Sequence, residues 1–147
     1  MNVMTADSSR DHARRAQPES FRARSVAPSL TCDDLEASLA WYTEALGFTI
    51  VQRYERGGAL RAVSLAAGSV RMLLTQDDFA KGHDRAKGLG FSLMLTTAQD
   101  VDQIADRVRS SGTKLETEPA EQFGARVFRV RDPDGFLLVI SAEREQG

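Results

Sequence analysis

Beyond Arg24 the apolar positions fall into a regular order. Ser25 to Leu30 reads as a short strand, and Asp33 or Asp34 then supplies the N-cap of a helix whose apolar residues are Leu35, Leu39, Tyr42 and Leu46. These offsets line one face of an α-helix, and Gly47 follows as the residue that accepts a left-handed backbone and ends it. Three strand signals come next, Phe48 to Tyr54, Ala59 to Ala67 and Ser69 to Gln76, punctuated by Gly57-Gly58 and Gly68. The pattern is βαβββ.

After a polar stretch from Asp77 to Gly88 the same order returns. Gly90 to Leu95 is a strand, and Asp100 opens a helix with Val101, Ile104, Ala105 and Val108 on its apolar face. Gly112 ends it, and Thr113 to Glu118, Ala125 to Arg131 and Phe136 to Ser141 complete a second βαβββ set. The halves superpose at a nearly constant spacing: Leu35 matches Val101, Leu39 matches Ala105 and Tyr42 matches Val108, while Gly47 matches Gly112 and Gly68 matches Gly135. This predicts an α+β protein of tandem modules, with a tail over 1–24, modules over 25–76 and 90–143, a linker over 77–89 and a short tail over 144–147. A four-stranded sheet with one helix leaves its other face uncovered, so two such sheets are expected to curve around a largely apolar cavity.

Composition narrows the function. The net charge of −2 and absence of a basic excess argue against a nucleic-acid partner. Charge is uneven, since residues 1–24 hold five arginines against Asp7, Asp11 and Glu19, a net of +2, which leaves the remainder near −4. That stretch reads as a solvated, disordered lead-in. The single cysteine, Cys32, excludes an intrachain disulfide and fits a reducing compartment; beside Asp33 and Asp34 its thiolate is disfavoured. No apolar run approaches the ~20 residues that span a bilayer, and the N-terminus lacks a secretory h-region. A cytoplasmic protein without membrane contact is expected.

Candidate chemistry is sparse. The two histidines, His12 in the tail and His83 in the linker, alternate with no apolar strand, so neither is aimed at the expected cavity. There is no G-x-S-x-G elbow and no phosphate-binding glycine loop. Glu116, Glu118 and Glu121 could meet a cationic ligand or form a solvated loop. Asp132-Pro133-Asp134-Gly135 has the residues of a tight hairpin turn. Period-two alternation puts Arg126 on one face with Phe128 and Val130, where it could meet an anionic ligand group or extend to the sheet edge.

The segment TCDDLEASLAWYTEALGF, from Thr31 to Phe48, resembles the first-helix signature of the vicinal oxygen chelate superfamily, and RVFRVRDPDGFLLVI, from Arg126 to Ile140, resembles its final strands. That superfamily includes glyoxalase I, extradiol dioxygenases, fosfomycin resistance enzymes and bleomycin resistance proteins. For metal-dependent members the resemblance implies ligands near Ala27, at Ser92 or Leu93, at Val139, and at Met72 or Leu73. None of these side chains suits a hard metal ion, so the resemblance is closest to bleomycin-resistance-like proteins, which bind a drug as homodimers without a catalytic ion. No metal and no cofactor is therefore expected. The residues expected to contact a small organic ligand are Phe123, Arg126, Phe128, Trp41, Met72, Leu93 and Val139, with Phe91 a further aromatic candidate. The alternatives are a lyase, isomerase or dioxygenase of the same superfamily using an atypical metal site or a carboxylate acid/base pair, and an accessory module docking through its basic tail.

Overall fold

The structure, a computed structural model, describes residues 20–144. The expected tail over 1–24 therefore lies outside the described residues up to position 19, as do 145–147. Module one comprises β1 (Ser29–Cys32), α1 (Leu35–Glu44), β2 (Thr49–Arg56), β3 (Ala59–Ala67) and β4 (Val70–Gln76). Module two comprises β5 (Ser92–Thr97), α2 (Val101–Ser110), β6 (Thr117–Gln122), β7 (Ala125–Arg131) and β8 (Leu137–Ala142). The two sheets have the same topology, β1-β4-β3-β2 and β5-β8-β7-β6, and in each the first strand runs parallel to the last.

Local chemistry sets the helix ends. Asp34 caps α1 by accepting from the Ala37 amide at 3.1 Å, and Asp100 caps α2 by accepting from the Asp102 amide at 2.9 Å. At the end of α1, Gly47 takes φ +78° and lets the Phe48 amide reach back to the Tyr42 carbonyl at 3.0 Å.

Two strands depart from the expected ranges. β1 begins at Ser29 rather than Ser25, because Pro28 has no amide to give; its carbonyl accepts from the Leu73 amide at 2.9 Å, and Val26 ahead of it is 89% exposed. β6 lies at Thr117–Gln122 rather than Thr113–Glu118, so Pro119 falls within a strand. It is tolerated there because β6 is an edge strand, and the ladder shifts register between Thr117 and Ala120. β2, one edge of the other sheet, also shifts register twice, between Ile50 and Gln52 and between Tyr54 and Glu55.

Each helix covers one face of its own sheet, and the two helix-covered faces share one core. A continuous cluster of buried side chains runs from Leu30, Val63 and Leu74 through Leu39 and Val108 to Phe128, Leu138 and Ile140. The modules are thus joined back to back rather than edge to edge. The linker is tied to module one by Lys87, which ion-pairs with Asp33 and with Asp77 at 2.8 Å.

Candidate functional site

The faces opposite the helices carry matching rows of side chains. In the first sheet the pairing register aligns Ser29, Leu73, Ser64 and Gln52 across all four strands, with Thr31, Thr75, Ala62 and Tyr54 in the next row. In the second sheet the same operation aligns Met94, Val139, Arg129 and Thr117, then Thr96, Ser141, Val127 and Ala120. Leu73 and Val139 occupy the same place in the two modules. In these two rows the first face is neutral, with Ser29, Thr31, Ala62, Ser64 and Thr75 small and Leu73, Gln52 and Tyr54 larger. The second has an apolar strip, with Ala125, Val127, Val139 and Leu137 in contact, flanked by Arg129 and Arg131. Met94, beside Val139, is 75% exposed.

The residues expected to contact a ligand are dispersed by this geometry. Val139 faces the uncovered side, whereas Met72 and Phe128, 1% and 0% exposed, are interior residues under the helices. Leu93 pairs with buried Leu138 and packs on that same core. Its neighbour Met94 takes the uncovered position. Trp41 lies between the modules, its Nε1 donating to Thr113 Oγ1 at 2.8 Å and its ring edge-on to Tyr42 at 4.9 Å. Arg126 neither reaches the uncovered face nor extends freely: its Nε and Nη2 bind both oxygens of Asp102 on α2 at 2.9 Å, a two-pronged pair. That pair holds the Asp102 carboxyl below its ordinary range. Phe123 is 87% exposed at the tip of the β6–β7 hairpin, with φ +52°. Phe91 packs edge-on against Phe136 at 5.8 Å, at the rim of the second face.

Other candidates are also placed. His83 stacks on Phe79 in the linker at 4.3 Å. Glu116 pairs with Arg131 at 3.3 Å and Glu118 with Arg109, so neither is a free anionic group. Cys32 is fully buried, and burial pushes its thiol up to about 12. That agrees with an inert thiol.

The Asp132–Gly135 turn forms as its residues dictate, and it does more than reverse the chain. Asp132 Oδ1 accepts from the Asp134 and Phe136 amides at 2.9 Å, while Gly135 takes φ +95°. Oδ2 accepts from the Tyr42 hydroxyl at 2.7 Å, and Asp134 accepts from Ser38 Oγ at 3.1 Å and from the Asp33 amide at 2.8 Å. Burial raises the Asp132 carboxyl and the Tyr42 phenol, the former against the lowering pull of the Tyr42 bond. The turn therefore clasps α1 of the other module, which no local pattern in the sequence signals.

Among the described residues no three His, Cys, Asp or Glu side chains converge as metal ligands. At the positions where the resemblance implies ligands, Leu73, Ser92 and Val139 face the uncovered sides and Ala27 precedes β1. None offers a carboxylate or imidazole, so this donor set does not fit a hard divalent ion. Strand register decides for Leu73 over Met72, which the sequence left open, and the missed positions Met94 and Val127 become legible only once that register says which face each residue takes.

Comparison with known proteins agrees with this architecture. The chain is 30% identical over 116 residues to the uncharacterized protein YwkD of Bacillus subtilis, covering 75% of this chain and 89% of that one. It is 24% identical over 116 residues to the virulence protein STM3117 of Salmonella typhimurium, covering 76% and 78%. A glyoxylase/bleomycin resistance protein/dioxygenase domain from Frankia has the same fold, with a TM-score of 0.69 at 22% identity, covering 86% of this chain and 96% of that one. A family profile matches residues 24–140 across both modules, and the chain belongs to the Glyoxalase/Bleomycin resistance protein/Dioxygenase superfamily.

Proposed function

We propose that this protein binds a small organic molecule, without a metal ion, in a groove closed by pairing the uncovered face of the first sheet with that of the second sheet on another copy. The observation that carries the reading is the back-to-back joining of the modules. It leaves both faces uncovered within one chain, with Met94 75% exposed beside Val139. Val139, Val127 and Ala125 are 6–8% exposed, so Met94, with half-buried Leu73 on the other sheet, is the apolar surface that association would take out of water.

The two faces suit different parts of a ligand. Met94, Val139 and Val127 offer a soft apolar bed for a planar ring, and Arg129 beside them can meet an acid group or lie over an aromatic face. Ser64, Thr31 and Thr75 opposite supply hydroxyls with little bulk. No buried nucleophile with an adjacent base lies on either face among the described residues, which supports sequestration of an antibiotic or aromatic metabolite over its turnover. The reading includes a homodimer acting in the cytoplasm without nucleic acid or membrane; no helix among the described residues is long and apolar enough to cross a bilayer.

Light scattering and a thermal-shift screen against aromatic and glycopeptide antibiotics test this. A dimer is expected, with at least one stabilising compound, and both should be lost in Met94→Glu and Leu73→Glu. A monomer shifted by no compound, or one equivalent of bound metal with turnover, overturns it.

A further inference from the structure

The duplicated modules differ at one matched pair of places. The spacing between them puts Arg107 where Trp41 stands and Ile104 where Ser38 stands, with Gly135 matching Gly68. Around α1 the place is filled, because residues 132–136 between β7 and β8 form the turn that clasps Ser38 and Tyr42. Around α2 the facing turn between β3 and β4 is only Gly68 and Ser69. The shorter turn leaves a cleft of about 450 Å³ between the modules.

The less exposed part of this cleft, its floor, holds the apolar residues Leu46, Phe48, Val70, Leu95, Ile104 and Ile140, while Ser69, Thr96, Thr97 and Gln99 add polar groups to its walls. Arg107 and Glu143 are its two charged lining residues, both exposed at the rim. Arg107 is held in place from below: its Nε donates to the Glu44 carbonyl at 3.0 Å and its Nη2 to the Thr43 carbonyl at 3.5 Å. It thereby covers the partial negative charge at the end of α1 while Nη1 has no hydrogen bond among the described residues. Neither Arg107 nor Glu143 joins an ion pair there. Opposite charges that share a rim without pairing leave room for a ligand that carries both.

We infer that this cleft is a second binding site, for an apolar zwitterion of the α-amino acid class: the side chain enters the floor, the carboxylate meets Arg107 Nη1 and the ammonium meets Glu143. The volume lies within the range of about 300–1,000 Å³ usual for small-molecule pockets. A ligand with one charge leaves the opposite rim group without a partner, so the two charges act as a selectivity device. The site shares only Thr96 with the uncovered sheet faces and stands independently of the reading given for them.

Three compounds with one ring test the inference by amide chemical-shift titration: L-phenylalanine, 3-phenylpropanoate without the ammonium, and phenethylamine without the carboxylate. Shifts are expected at Gly68, Leu95 and Ile104, with phenylalanine bound about tenfold or more tightly than either analogue, since each loses one charge-assisted contact. Arg107→Gln should bring phenylalanine down to phenethylamine, and Glu143→Gln, at an exposed position that does not burden folding, should bring it down to 3-phenylpropanoate. Met94→Glu, which disables the sheet-face site, should leave all three affinities unchanged. Equal affinity for the three compounds, shifts confined to the sheet faces, or indifference to Glu143→Gln overturns the inference.

Discussion

Replacing Tyr42 with Phe isolates the clasp between the modules. The ring of Tyr42 is fully buried and edge-on to Trp41 at 4.9 Å and to Phe48 at 5.5 Å, contacts that phenylalanine keeps, so no cavity is made. What is lost is the 2.7 Å bond to Asp132 Oδ2, on a carboxyl only 5% exposed whose other oxygen is occupied by two amides. A hydrogen bond to a buried charged group contributes about 1.5–3 kcal/mol, and Tyr42→Phe should destabilise by that amount at pH 7. The pH dependence follows from Asp132, whose folded pKa burial raises. A raised folded pKa means stability present below the unfolded carboxylate range and lost as pH climbs through the folded value. The Tyr42 bond opposes that rise, so removing it raises the folded pKa further. The penalty of Tyr42→Phe is therefore full where Asp132 is ionised and shrinks as the acid takes up its proton. Urea unfolding followed by fluorescence of Trp41, the single tryptophan, measures it at pH 7 and pH 5. A change within about 0.5 kcal/mol at pH 7, the range of an ordinary surface substitution, or a penalty that grows on acidification, would refute the reasoning.

Phe123→Asn should raise stability by about 1 kcal/mol in the same unfolding assay, because asparagine tolerates the φ of +52° that phenylalanine occupies under strain in a two-residue hairpin turn. Unchanged or lower stability would mean that the exposed ring makes contacts that outweigh the strain. Gly88→Ala should destabilise by about 1–3 kcal/mol, since a Cβ there meets the Gly135 carbonyl oxygen at 2.8 Å and the backbone has φ +77°; thermal unfolding reads the loss, and an unaltered midpoint counts against a tightly docked linker. Cys32, whose thiol burial lifts to about 12, should react with a disulfide reagent at pH 8 only as fast as the chain opens, so labelling at the rate of a free thiol would contradict its buried setting.

Much of the fold was legible because hydrophobic period and end signals agreed. Leu35, Leu39 and Tyr42 with Asp34 before them and Gly47 after them say the same thing at three levels, and the duplicated order says it again in module two. β6 was displaced because Thr113 to Glu118 alternates well enough for a strand, while Pro119 looks like a break; only the edge position of β6 makes proline acceptable. The candidate site was less legible. Whether Leu93 or Met94 shares a face with Val139 depends on the parallel register of β5 on β8, which is a long-range property. The partner of Arg126 was likewise hidden, since Asp102 lies on a helix 24 residues earlier in the chain.

The interrupted ladders of β2 and β6 govern how this molecule can meet other proteins. Each is the outer strand at one edge of its sheet, with β1 and β5 at the opposite edges, and a regular outer strand is a template onto which a foreign chain can add, the first step toward fibrils. Here Pro119 and the shifted pairing of β6, together with the two shifts along β2, remove the even spacing of amides and carbonyls that such growth requires. Recruitment through these two rims is thereby hindered, and a chain crowded among its own copies meets them there through side chains, whose shape and charge can discriminate, rather than through a backbone that every protein shares.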